Sequence, residues 1–121
     1  MSNKKPSNEL ERIVFAFGYA LKGVSFALSQ RGAFRTELCI AIIMTIAAFF
    51  ITDATVERAL LIGSLLLVLI VELLNTGIEC AIDRISPEWH EISGHAKDVA
   101  SAAVLVSLIN AGVIWGLILF S

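Results

Sequence analysis

Three long apolar runs divide the chain, at roughly residues 36–52, 59–82 and 99–120, and polar residues gather mostly at their edges. A bilayer core of ~30 Å needs ~20 helical residues, with ~17 as the lower limit. The second and third runs exceed that length and the first just reaches it. The pattern therefore predicts three membrane spans, at about residues 34–52, 57–83 and 97–120. Ahead of them the spacing changes. Leu10, Val14, Phe17, Leu21, Val24 and Leu28 follow steps of four and three, which keeps them on one helical face, while Arg12, Tyr19 and Lys22 lie off it. This predicts an amphipathic helix over residues 10–30 lying in the membrane interface. A helix packed on another protein element would show the same stripe. Residues 1–9 form a polar tail. The expected fold is an all-α integral membrane domain over residues 10–121, with three transmembrane helices and an N-terminal interfacial helix.

Composition supports this division. Of 121 residues, 57% are hydrophobic and the mean hydropathy is +0.83, too apolar for an ordinary soluble domain of this size. No short apolar core with a small-residue cleavage site follows the polar start, so no removable signal peptide is expected. The net charge of -2 says little, but its distribution is informative. Lys4, Lys5, Arg12, Lys22, Arg31 and Arg35 precede the first apolar run. Arg84 and Lys97 flank the second connection, and Arg58 alone flanks the first. The positive-inside rule then puts the N-terminus and the 83–98 connection in the cytoplasm, with the C-terminus on the outer side. Cys39 and Cys80 match no metal spacing and are expected to be buried thiols packing as small apolar groups.

The outer connection, TDATVER, is short enough to make spans one and two an antiparallel hairpin. The inner one, DRISPEWHEISGHAKD, is polar, and Pro87 and Gly94 are expected to interrupt helix within it. Three apolar helices bury little of one another, which favours a homo-oligomer. Ala111, Gly112 and Gly116 in the third span would allow close helix contacts.

The exception to the edge rule is LIVELLNTGIECAIDR, residues 69–84. Glu72, Asn75, Glu79 and Asp83 follow one another by three, four and four residues and so line one helical face. A charged side chain at bilayer depth costs ~2.5–3.5 kcal/mol on insertion scales, so it usually faces a cavity or a partner. Snorkelling or interhelical hydrogen bonding would explain Asp83 more readily than Glu72, which lies three turns deeper. At the start of the third span stand Lys97, Asp98 and Ser101. A lysine beside carboxylates can be a plain salt bridge. It can also neutralise phosphate oxygens, while acidic groups hold a divalent metal and a deeper carboxylate takes a proton. Those are the parts of phosphoryl transfer, whose catalysis is mostly positioning and charge stabilisation. No GxxxxGK[ST], glycine-rich kinase loop, HRD or DFG motif is present.

VELLNTGIECAIDRI and EWHEISGHAKDVASAAVL together strongly resemble the bacterial diacylglycerol kinase family of small integral membrane enzymes. The resemblance extends to RIVFAFGYALKG and GAFRTE. It implies a homotrimer with active sites shared between subunits, in the bacterial inner membrane. It also implies phosphorylation of diacylglycerol to phosphatidate with Mg2+ and ATP, and no nucleic-acid partner. By that similarity Glu72 is the general base, supported by Asn75, and Glu79 holds the metal. Asp83 lies near the nucleotide, Lys97 contacts its phosphates and Asp98 orients that lysine. Arg12, Tyr19, Glu88, Trp89 and His90 complete the nucleotide pocket. Ala33, Phe34, Arg35, Glu37, Ser101 and Trp115 fall where the family contacts its lipid. The residue pattern agrees on one point of its own. A base for a lipid hydroxyl belongs at headgroup depth, where burial strengthens a carboxylate as a base, and the nucleotide belongs nearer water.

One position departs from the family. Arg31 stands where the family carries a second metal-binding glutamate, and a guanidinium donates hydrogen bonds but coordinates no magnesium. Arg31 binding phosphate, Glu37 moving in, or loss of activity are the open consequences. Three other readings stay open. An undecaprenol kinase shares the second-span pattern. A noncatalytic homologue would follow from Arg31, and a proton-coupled transporter would use Glu72 differently.

Overall fold

The computed structural model describes residues 5–30 and 32–121, and Arg31 lies outside the described residues. These residues fold as four helices, α1 (Glu9–Ser29), α2 (Ala33–Ile51), α3 (Thr55–Ile85) and α4 (Glu91–Leu119). No strand occurs among them. All four are long and apolar enough to cross a membrane, with α1 the least apolar. The chain divides into two compact units, Met1–Gly32 and Ala33–Ser121.

The first unit is essentially α1. Asn8 caps it, its side chain accepting from the backbone N–H of Glu11 at 2.8 Å. Glu9 and Glu11 place negative charge in the first turn, complementing the free N–H groups there. Ser7 donates to Glu11 through its hydroxyl and its backbone N–H, and Arg12 pairs with Glu9 at 2.9 Å. The stripe of Leu10, Val14, Phe17 and Leu21 is more than half exposed on this chain, an apolar face awaiting a membrane or a protein neighbour.

In the second unit α3 is the middle element, packed against both α2 and α4. The core is Ala41 and Ala48 of α2, Leu61 and Leu65 of α3, and Trp115 of α4. Small residues on α2 let the backbones approach closely, which in an apolar surround replaces the hydrophobic drive with van der Waals contact. Buried polar groups are satisfied locally. Ser64 donates to Leu61 O at 2.8 Å, and the Trp115 indole donates to the same carbonyl at 3.2 Å, tying α4 to α3.

Arg58 closes the turn between α2 and α3. Its Nε donates to Thr52 O at 2.7 Å and its Nη2 to Phe49 O at 3.0 Å. These carbonyls belong to the end of α2, where no intrahelical N–H remains for them. Its guanidinium also lies 4.8 Å from the Phe49 ring centroid and 3.2 Å from Asp53. The one cation of this connection is thus a cap for the helix before it.

Two sequence expectations are corrected here. Gly94 does not interrupt helix. α4 starts at Glu91, six residues before the expected span, and the Gly94 N–H makes a helical bond to His90 O at 2.8 Å. His90 caps this start, its Nδ1 accepting from the Ile92 N–H at 3.1 Å. Pro87 does fall in the non-helical connection. Cys39 and Cys80 are exposed on the chain rather than buried, because both lie on helix faces turned away from the α2–α3–α4 contact.

Candidate functional site

α3 has 31 residues, roughly 46 Å at 1.5 Å per residue, against a bilayer core of ~30 Å. It can therefore carry side chains from within the apolar layer into water without a break. Along its second half the burial falls in order. Glu72 is 6% exposed, Asn75 is half-buried, and Glu79 and Asp83 are exposed. The spacing inferred from sequence thus becomes a graded ridge on one continuous helix.

At the deep end, Glu72 neighbours Glu37 of α2, the two carboxyl groups facing each other across the helix pair. Glu37 Oε2 is buried without a hydrogen-bond partner. Thr76 returns its hydroxyl to Glu72 O at 3.0 Å, which leaves the ridge face to the carboxylates and the amide. Asn75 donates through Nδ2 to Glu79 Oε1 at 3.3 Å, while its Oδ1 is buried and unpartnered. Buried oxygens without a donor, one on α2 and one on α3, are costly unless another group completes them.

At the shallow end, Lys97 of α4 donates to Asp83 of α3 at 2.7 Å. That pair forms one wall of a polar cavity of about 190 Å³ whose other sides come from Ser86, Pro87, Glu88, Trp89, His90, Ser93 and Gly94. The Glu88 N–H is fixed by Ser86 Oγ at 3.1 Å. A Cβ on Gly94 would come 3.6 Å from the Trp89 indole nitrogen, so the glycine leaves that ring room beside the helix start. Free N–H groups at a helix N-terminus and an adjacent ammonium favour an anion.

Below Glu37 opens a second cavity, about 270 Å³, lined almost wholly by apolar side chains of α2, α3 and α4, with Trp115 among them. Trp115 presents only its ring there, since its N–H is engaged by Leu61 O.

The sequence-derived residues separate accordingly. Asp83, Glu88, Trp89, His90 and Lys97 come together around the polar cavity. Glu37 and Trp115 line the apolar one. Glu72, Asn75 and Glu79 form the ridge between. Phe34 is buried, Ala33 and Arg35 are exposed in the first turn of α2, and Asp98 and Ser101 are exposed further along α4. Arg12 and Tyr19 belong to the Met1–Gly32 unit. Missed from sequence were Ser86, Ser93 and Gly94. The extra turns of α4 that carry the last two begin at a histidine cap, which capping statistics do not favour. Missed too were Ile40, Met44 and Gly112 of the apolar cavity, which read as ordinary span residues.

Among the described residues no three acidic, histidine or cysteine side chains converge as a ready metal cage. Glu79 and the buried Asn75 Oδ1, which has no hydrogen-bond partner, are oxygen donors of the kind a divalent cation takes.

An acidic ridge graded from the buried Glu72 to the exposed Asp83 thus lies between an apolar cavity and a polar pocket, in an all-helical chain whose helices are long and apolar enough to cross a membrane. Residues 18–119 match the family model of the prokaryotic diacylglycerol kinases. The chain is 44% identical over 110 residues to the diacylglycerol kinase of Escherichia coli strain K12, covering 91% of this chain and 90% of that relative. It is 43% identical over 115 residues to that of Pseudomonas aeruginosa PAO1, covering 95% and 94%. Against that of Haemophilus influenzae Rd it is 41% identical over 111 residues, covering 92% and 94%. The chain belongs to the prokaryotic diacylglycerol kinase family.

Proposed function

We propose that this chain phosphorylates the free hydroxyl of membrane diacylglycerol, making phosphatidate from ATP. The observation that carries the reading is the buried Glu72 at the deep end of a ridge whose shallow end opens on the Asp83–Lys97 pocket. Membership of a family whose relatives are named diacylglycerol kinase supports it.

In this mechanism Glu72 accepts the hydroxyl proton as the alcohol oxygen bonds to the γ-phosphorus and the bond to the ADP oxygen breaks. Glu37 and the apolar cavity hold the lipid with its hydroxyl at Glu72. Asn75 keeps Glu79 oriented, and Lys97 neutralises phosphate oxygens beside Asp83, with Asp98 next to it. Glu88, Trp89 and His90 enclose the rest of the nucleotide. Glu79, with Asn75 Oδ1, would hold Mg2+, which supplies charge neutralisation on the phosphates when bound.

The same reading takes α2, α3 and α4 as the three spans and α1 as an interfacial helix, in a homotrimer in the inner membrane with its N-terminus in the cytoplasm. The lipid-facing and partner-facing surfaces it needs are supported by the many exposed apolar side chains of these helices, such as Ile43, Phe50, Leu66 and Leu117. The test is transfer of labelled phosphate from ATP to diacylglycerol in detergent micelles, with undecaprenol as the competing acceptor. Phosphatidate formation by the native chain and its loss in Glu72→Gln support the proposal. Phosphorylation of undecaprenol alone would overturn it.

A further inference from the structure

The apolar cavity has a direction. Glu37 and Leu108 line it at the end nearest Glu72, and Trp115 lies at the other, where its indole is fixed to Leu61. Gly112 sits between them on α4, about one helical turn, ~5.4 Å, beyond Leu108 and nearly another before Trp115. A Cβ built on Gly112 meets nothing within 4 Å. A side chain at residue 112 would therefore extend into open space beside the cavity lining, with no neighbour in its way.

We infer that Gly112 is a specificity-determining residue, whose missing side chain admits the distal part of a lipid acyl chain into the α2–α3–α4 cavity. The inference rests on the diacylglycerol kinase reading, which sets the hydroxyl at Glu72 and so sends an acyl chain away from it. The lining is right for that occupant. Ile40, Ala41, Met44, Leu65 and Val68 offer no hydrogen bond, and the one polar group, Glu37, stands at the headgroup end. Glu37, whose carboxyl faces that of Glu72, stands where a hydroxyl or ester-bearing group would meet the protein. A short acyl chain ends above Gly112 and a long one passes it. The residue therefore discriminates by chain length and leaves the phosphoryl-transfer chemistry alone.

The test compares dihexanoylglycerol with dioleoylglycerol as acceptors for native chain, Gly112→Ala, Gly112→Leu and Gly116→Leu, all in mixed micelles. Gly116 is the control, since a Cβ there also meets nothing within 4 Å but the residue does not line the cavity. Filling a pocket by a few methyl groups changes discrimination by about tenfold or more. Gly112→Leu is expected to lose about that factor in kcat/KM on dioleoylglycerol and to keep native turnover on dihexanoylglycerol, with Gly112→Ala between and Gly116→Leu unchanged. Equal loss on both lipids, no loss on either, or the same pattern in Gly116→Leu overturns the inference. A native chain inactive on both lipids rejects the kinase reading itself and this inference with it. Activity on both with no difference at residue 112 rejects the inference alone.

Discussion

Lys97 donates to Asp83 at 2.7 Å across the connection between α3 and α4, and both side chains keep contact with water, at 41% and 60% exposure. A pair this exposed contributes little to folding. On the proposed function its role is to hold an ammonium at the wall of the polar cavity before any phosphate arrives. Lys97→Met is expected to raise the KM for ATP and to lower turnover sharply, with thermal unfolding in detergent almost unmoved. Asp83→Asn, which frees the ammonium without removing it, is expected to do less of both. Equal effects of the two changes on KM would count against this assignment.

Glu72→Gln keeps the shape of the deep end and removes the base. General-base removal typically costs about 10²–10⁴-fold in rate. Turnover on diacylglycerol is expected to fall by that order with ATP affinity retained, as read by nucleotide binding to the variant. Loss of ATP binding together with turnover would mean that Glu72 is structural.

Arg31 offers a gain-of-function test. If the family's second metal-binding glutamate is what this chain lacks, Arg31→Glu is expected to increase turnover and to lower the magnesium concentration needed for half-maximal rate. A titration of rate against magnesium for both chains measures this. No change in either quantity would show that position 31 has left the metal site altogether.

Arg58 sits at the turn between α2 and α3 and is given no role in the proposed chemistry, so its removal separates stability from activity. Arg58→Ala strips hydrogen bonds from Phe49 O and Thr52 O at the end of α2. Each such bond contributes about 1 kcal/mol, more where the carbonyl is left without water. The variant is expected to unfold at lower temperature or denaturant, by about 1–3 kcal/mol in total, with kcat unchanged at ambient temperature.

Trp115→Phe asks whether the indole is a latch or only a wall. The Leu61 carbonyl keeps its bond from Ser64, so the loss is one hydrogen bond, about 1 kcal/mol. Stability is expected to drop by that amount while turnover on diacylglycerol stays near native, because the ring still closes the apolar cavity.

How far the sequence carries can be judged from particular residues. The ridge was legible because helical period alone puts Glu72, Asn75, Glu79 and Asp83 on one face, and no tertiary contact is needed to establish it. Four helices were equally plain, three from the length of the apolar runs and one from the stripe beginning at Leu10, but hydropathy did not show that the first is also long and apolar enough to cross a membrane. The early start of α4 was hidden, since Gly94 reads as a breaker until its N–H is seen bonded to His90 O. The exposure of Cys39 and Cys80 was hidden for a related reason. In a chain apolar all round, hydropathy does not tell the face that packs from the face that does not. For the same reason nothing marked Gly112 or Met44 as cavity residues. The pairing of Lys97 with Asp83 spans a connection whose geometry no local pattern fixes.

One property of α3 follows from its being unbroken. Glu72 and Asp83 are eleven residues apart on it, roughly 16 Å along the axis. On the proposed function the helix is thus a ruler between the point of proton removal and the point of phosphate entry, with no joint to adjust the reading. Substitutions along residues 73–82 alter single contacts. Insertion of one residue there would turn everything beyond it by about 100°, swinging Asp83 off the face that Glu72 occupies.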